Sequence, residues 1–182
     1  DFRSKNNTPP VVLMGYANPI EHMGQAAFIA ESVAAGVDGV LVVDYPPEES
    51  AEFALRAQQA GLNVIYLVAP TSTATRMQDT AKVASGFIYY VSLKGVTGAG
   101  NLDVTEVAQR VAALREFTDL PINVGFGISD ASSARAVAAV ADGVVIGSKL
   151  ITLVENAVKD GADAQMAIKD WLSAIRTALD AA

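Results

Sequence analysis

Short, nearly continuous runs of Val, Ile and Leu alternate along this chain with longer Ala-rich stretches whose apolar residues return every three or four positions. The first pattern suits a parallel strand buried on both faces, the second the helix that covers it. It predicts a strand over 11–14, a loop over 15–23 and a helix over 24–35. A second unit has a strand over 39–43, a turn over 44–47 and a helix over 48–60. Proline in the first turn, with Glu48 and Glu49 at the positive dipole end, suits that helix start. A third has a strand over 63–68 and a helix over 74–84, with Thr71 or Ser72 as candidate cap. A strand over 87–91 then leads through a long loop, 92–101, to a helix over 104–117. Two further units pair strands over 122–124 and 143–146 with helices over 131–140 and 149–159. A last helix over 162–181 carries an apolar stripe of Met166, Ile168, Trp171, Leu172, Ile175 and Leu179, with Trp171 as a packing anchor.

Strand starts recur every ~20 to 35 residues, the size of a βα unit. Six such units in series fit either a doubly wound open sheet or part of a (βα)8 TIM barrel. Two turns favour the barrel. Gly125-Phe126-Gly127-Ile128-Ser129 and Gly147-Ser148 each end a short strand and open a helical pattern. The first N–H groups of a helix have no partner within it, and glycine lets backbone approach a ligand. Two such turns, one strand–helix unit apart, suit a phosphate, a known use of the last loops of this barrel. The bland alternative is that these glycines only make tight turns. We therefore expect an α/β fold, an incomplete barrel of about six βα units plus a C-terminal helix, forming one domain over 1–182. About two units would then be missing at the N-terminal side.

Composition narrows the function. The 182 residues carry a formal charge of −7, which disfavours a nucleic-acid or anionic-membrane surface. No apolar run reaches the length of a membrane span, and no signal peptide is visible. Cysteine is absent, which excludes disulfide and thiolate chemistry and suits a cytoplasmic enzyme. The first residue is Asp1, and the opening DFRSKNNTPP reads as a helix end and linker. The expectation is that the chain begins inside a larger protein. His22, the only histidine, has no Cys or His beside it in the sequence, so no metal site is expected. Lys94 stands near a strand end, where a Schiff base is conceivable, but its Gly-flanked loop favours solvent. Asp44 ends a strand and reads as a turn acid rather than a general base. Tyr89 and Tyr90 should point to opposite faces of their strand.

At Pro46-Pro47-Glu48-Glu49-Ser50, Val96-Thr97-Gly98, Gly125-Phe126-Gly127-Ile128-Ser129 and Gly147-Ser148 the chain resembles the tryptophan synthase alpha subunit family, along essentially its whole length. The resemblance implies a barrel lyase that cleaves indole-3-glycerol phosphate to indole and glyceraldehyde 3-phosphate, in L-tryptophan biosynthesis. It implies an alpha2beta2 complex with a beta subunit that holds pyridoxal phosphate and receives the indole. The alpha reaction itself needs no cofactor. The family's two essential carboxylates, a glutamate and an aspartate, lie in its first two βα units and have no counterpart here, so this chain alone is expected to be inactive. The family match assigns phosphate contacts to Gly127, Gly147 and Ser148, with Phe126 and Gly98 beside them. It assigns the substrate pocket to Tyr16, Leu41, Val43, Leu67 and Tyr89. Thr97 matches a loop threonine that closes over the site and supports the catalytic aspartate. Asn18, Asp44 and Pro46 match segments that face the beta subunit. One departure is that Lys94 stands one position later than the arginine of other members. Two rival readings remain: a non-catalytic piece that docks on the beta subunit, and a barrel enzyme acting on another sugar phosphate.

Overall fold

The structure is a computed structural model in which residues 2–91, 104–125 and 127–181 are described. The chain gathers into two compact units, Asp1–Tyr89 with Phe117–Leu120, and Tyr90–Glu116 with Pro121–Ala182.

The first unit begins with strand β1 (Val12–Gly15) and helices α1 (Ala17–Met23) and α2 (Gln25–Ala34). It continues with β2 (Gly39–Val42), α3 (Pro47–Gln59), β3 (Asn63–Val68) and α4 (Ala74–Val83). The strands pair in parallel in chain order, with Met14 opposite Leu41 and Leu41 opposite Ile65. One face of β2 and β3 packs on helices: Val40, Val42, Val64 and Tyr66 join Ile20, Ile29, Phe53 and Ala57 in a buried cluster. Leu41 and Ile65 alternate onto the other face. Val12, Leu13 and Met14 are all exposed, because β1 ends the strand order and pairs on one edge only.

Strand β4 (Ile88–Val91) closes the first unit and opens the second. The second holds α5 (Val104–Arg115), β5 (Ile122–Gly125), α6 (Ala131–Ala138), β6 (Gly143–Val145), α7 (Ser148–Lys159) and α8 (Ala164–Asp180). β5 and β6 pair in parallel with Gly125 opposite Val145. Val107, Val111 and Leu114 of α5, Ile122 and Val124 of β5, and Ala134 and Val137 of α6 are buried.

Two local expectations are corrected. The stretch read as a loop over 15–23 contains α1. The Tyr16 side chain that precedes it caps nothing; instead Asp44 Oδ1, from the turn after β2, accepts the Ala17 N–H at 2.7 Å. The cap of α4 is neither Thr71 nor Ser72 but Thr73, whose Oγ1 accepts the Arg76 N–H. Ser72 Oγ is occupied by the Ala69 N–H. On α8, Ile175 is buried and Trp171 half-buried, while Met166 and Leu172 stand exposed.

Candidate functional site

Four of the expected pocket residues share one strand face of the first unit. The register that sets Met14 opposite Leu41 carries Tyr16, two residues on, to the same face, opposite the helices. Val43 and Leu67 follow Leu41 and Ile65 by the same alternation. Leu41 is buried at 3% exposure, Val43 is 36% exposed and Tyr16 62%; Leu67 is half-buried. Exposure thus rises from Leu41 to Val43 just after β2. Tyr89 is half-buried and Tyr90 fully buried, the alternation the sequence predicts. Burial pushes both phenols above the ordinary tyrosine range, with Glu106 and Arg110 adding opposite influences at Tyr90.

The glycine turns lie in the second unit, at the same end of two adjacent strands, since Val124 stands opposite Val144 and Gly125 opposite Val145. They differ chemically. At the start of α6, Asp130 and Ser133 form a capping box: Asp130 Oδ1 accepts the Ser133 N–H at 2.7 Å and Ser133 Oγ accepts the Asp130 N–H at 3.2 Å. The Ser133 N–H holds the Asp130 carboxyl below the usual range, so the end of α6 already carries its anion. At the start of α7 the N-cap is Gly147, and no side chain caps the helix. Gly147, Ser148 and Lys149 are exposed. An added Cβ would meet nothing within 4 Å at Gly127 or Gly147, so both backbones border open space. Gly127 sits at φ +38°, a conformation glycine takes without strain. Of these two helix starts, α7 is thus the one without a side-chain cap. The Asp130-Ala-Ser-Ser133 spacing is the sequence signal that α6 caps itself.

Asn18 and Asp44 are exposed and Pro46 is half-buried. Asp44 and Ala17 bring the 17–18 and 44–47 segments together. Next to them Tyr45 donates its hydroxyl to Glu21, which also accepts from Gln25 at 2.7 Å. Burial, then the Glu21 carboxylate, pushes the Tyr45 phenol up to about 12. Sequence reasoning missed this cluster, because Tyr45 lies 20 and 24 residues from its two partners. Thr97, Gly98 and Lys94, in 92–103, and Phe126 lie outside the described residues. A cavity of about 780 Å³ opens at the other end of β5 and β6, beside Asn123, Asp142 and Gly143 and lined by Arg135 and Arg176. It includes none of the expected site residues.

The family model for the tryptophan synthase alpha chain matches residues 1–178. The chain belongs to the tryptophan synthase alpha chain family. It is 58% identical over 181 residues to the alpha chain of Burkholderia ambifaria, covering 100% of this chain and 66% of that one. Against the alpha chain of Janthinobacterium sp. it is 56% identical over 180 residues, 99% of this chain and 67% of that one. Among solved structures, the alpha subunit of Legionella pneumophila superposes with a TM-score of 0.90 at 39% identity, over 100% of this chain and 66% of that chain. A Pyrococcus furiosus a2b2 tryptophan synthase complex contains a chain that superposes at a TM-score of 0.86 with 33% identity, over 97% of this chain and 70% of that one. The chain thus spans about two thirds of the length of its relatives. It carries six consecutive βα units of the family's (βα)8 barrel.

Proposed function

We propose that this chain supplies the substrate-holding part of the alpha reaction, the cleavage of indole-3-glycerol phosphate to indole and glyceraldehyde 3-phosphate. The observation that carries the reading is the uncapped N-terminus of α7 beside the Gly127 turn. Ser148 and the backbone N–H groups there hold the phosphate, whose two charges meet the positive end of the helix dipole. Leu41, Val43 and Leu67 hold the indole ring, with Tyr16 and Tyr89 at its edge. A proton is added at the indole carbon that bears the side chain. A proton leaves the adjacent side-chain hydroxyl, the carbon–carbon bond breaks, and its electron pair returns to the ring as the aldehyde forms. The resemblance gives this acid and base work to two carboxylates without counterparts in these 182 residues, so the chain by itself binds and does not turn over. A pyridoxal-phosphate beta subunit is the partner, engaged through Asn18, Asp44 and Pro46.

Calorimetric titration with glyceraldehyde 3-phosphate tests the cradle. Binding by the wild-type chain that disappears in Ser148→Glu, with the melting temperature kept, supports it. Equal binding by both overturns it. A second reading, a non-catalytic piece that docks on the beta subunit and biases its conformation, draws on the Asp44–Ala17 bond that joins the two partner-facing segments. Light scattering of the mixed subunits decides it: no complex rules it out.

A further inference from the structure

Two buried hydroxyls join β3 to the turn that opens α3. Tyr66 is 3% and Ser50 2% exposed, and their oxygens lie 2.8 Å apart. Ser50 Oγ lies 2.7 Å from the Pro46 carbonyl oxygen. A serine has one proton to give and a carbonyl can only accept. Ser50 therefore donates to Pro46, and Tyr66 donates to Ser50. The opposite sense would leave a buried Tyr66 O–H unpaired, which is costly. The two bonds run one way and strengthen each other.

The turn they reach needs such an anchor. Pro46 and Pro47 have no N–H to give, so these two residues of the turn can be held by hydrogen bonds only through their carbonyl oxygens. Asp44 spends its carboxylate on Ala17, and Pro46 O takes the Ser50 hydroxyl together with the Glu49 and Ser50 N–H groups. Packing alone does not call for the oxygens. The Tyr66 ring sits in the helix-facing cluster, where a phenylalanine fills the same space.

We propose that Tyr66 and Ser50 are positioning residues that hold the Pro46 turn in the shape on which the beta subunit docks. The proposal rests on the partner reading given above. Neither residue touches the partner; each acts through Pro46.

The test uses the 182-residue chain and the beta subunit of the same organism. The dissociation constant of the complex is measured for wild type, Tyr66→Phe, Ser50→Ala and the double variant. Affinity for glyceraldehyde 3-phosphate, which concerns the other unit, is measured alongside. Each single variant is expected to bind the beta subunit about fivefold more weakly. The double variant is expected to be no weaker than the worse single, because the two oxygens form one chain. Glyceraldehyde 3-phosphate affinity is expected to stay at the wild-type value. An unchanged constant in Tyr66→Phe overturns the proposal. So does a loss matched by an equal loss of glyceraldehyde 3-phosphate affinity, which marks general destabilisation. If the wild-type chain itself forms no complex, the partner reading falls first and this proposal with it, a result seen before any variant is made.

Discussion

The carboxylate of Asp142 accepts the backbone N–H of Ile122 at 2.9 Å, tying the residue before β6 to the first residue of β5. Asp38, one residue before β2, likewise accepts the N–H of Val11, the residue just ahead of β1, at 2.6 Å. Each aspartate also has an arginine, Arg115 at 3.1 Å for Asp142 and Arg3 for Asp38. Each is followed by Gly-Val. The chain thus uses one device twice to fasten a strand to its successor, across α1 and α2 in one case and α6 in the other.

Asp142→Ala is expected to lower stability by about 1–2 kcal/mol, the net worth of a charge-assisted bond at a partly exposed site. The Ile122 N–H, then Arg115, holds the Asp142 carboxyl below the usual range. A lowered carboxyl stabilises the fold above its unfolded value of about 3.9, and the gain is lost as pH falls through the folded value. Urea melts should show the full deficit of the variant at neutral pH and a smaller one below about pH 4.

Gly39 stands opposite Asn63 in the β2–β3 register, and a Cβ there would lie 2.8 Å from Ile65 Cδ1 and 3.3 Å from the Asn63 carbonyl oxygen. Backbone cannot swing away as a side-chain tip can. Gly39→Ala should cost about 1–3 kcal/mol in denaturant melts. At Gly143 the obstacle is only the Asn123 amide, so Gly143→Ala should cost less and Asn123→Ala should relieve it.

Asp130 places a carboxylate three residues after Gly127. Asp130→Ser keeps an N-cap and removes the charge. It should leave stability within about 0.5 kcal/mol and tighten glyceraldehyde 3-phosphate binding about twofold to fivefold. Weaker binding in calorimetry would place the phosphate elsewhere.

The Tyr45 phenol is pushed up to about 12. A raised phenol stabilises the fold fully below the unfolded value of about 10, and the contribution is lost as pH rises through about 12. Tyr45→Phe should be less sensitive to pH between those values, and absorbance titration should show a smaller late-ionising tyrosine signal in the variant than in the wild type.

Thr80 is fully buried on α4, and its Oγ1 has no hydrogen-bond partner among the described residues. Replacing it by valine keeps the shape and removes the unpaired hydroxyl. Thr80→Val should raise stability by about 1 kcal/mol.

Apolar runs located each strand of the described residues, and β3 runs over the predicted 63–68 without change, because its Val64–Val68 stretch is apolar at every position. The Gly127 and Gly147-Ser148 turns were legible for a related reason: an unstrained backbone and an open helix end leave a local mark in residue type. Helix α1 left no such mark, since its first N–H is satisfied by Asp44 from 27 residues away. The Tyr66–Ser50–Pro46 chain was equally silent, being a tyrosine and a serine 16 residues apart that meet only once β3 packs against α3. The capping of α6 had a local signal in the Asp130–Ser133 spacing, but that the Asp130 side chain folds back on the Ser133 N–H while α7 starts without a side-chain cap is read from the structure. Sequence determines what depends on a residue and its near neighbours. Tertiary structure decides which distant donor meets which acceptor, because those pairings exist only after the strands have set the register.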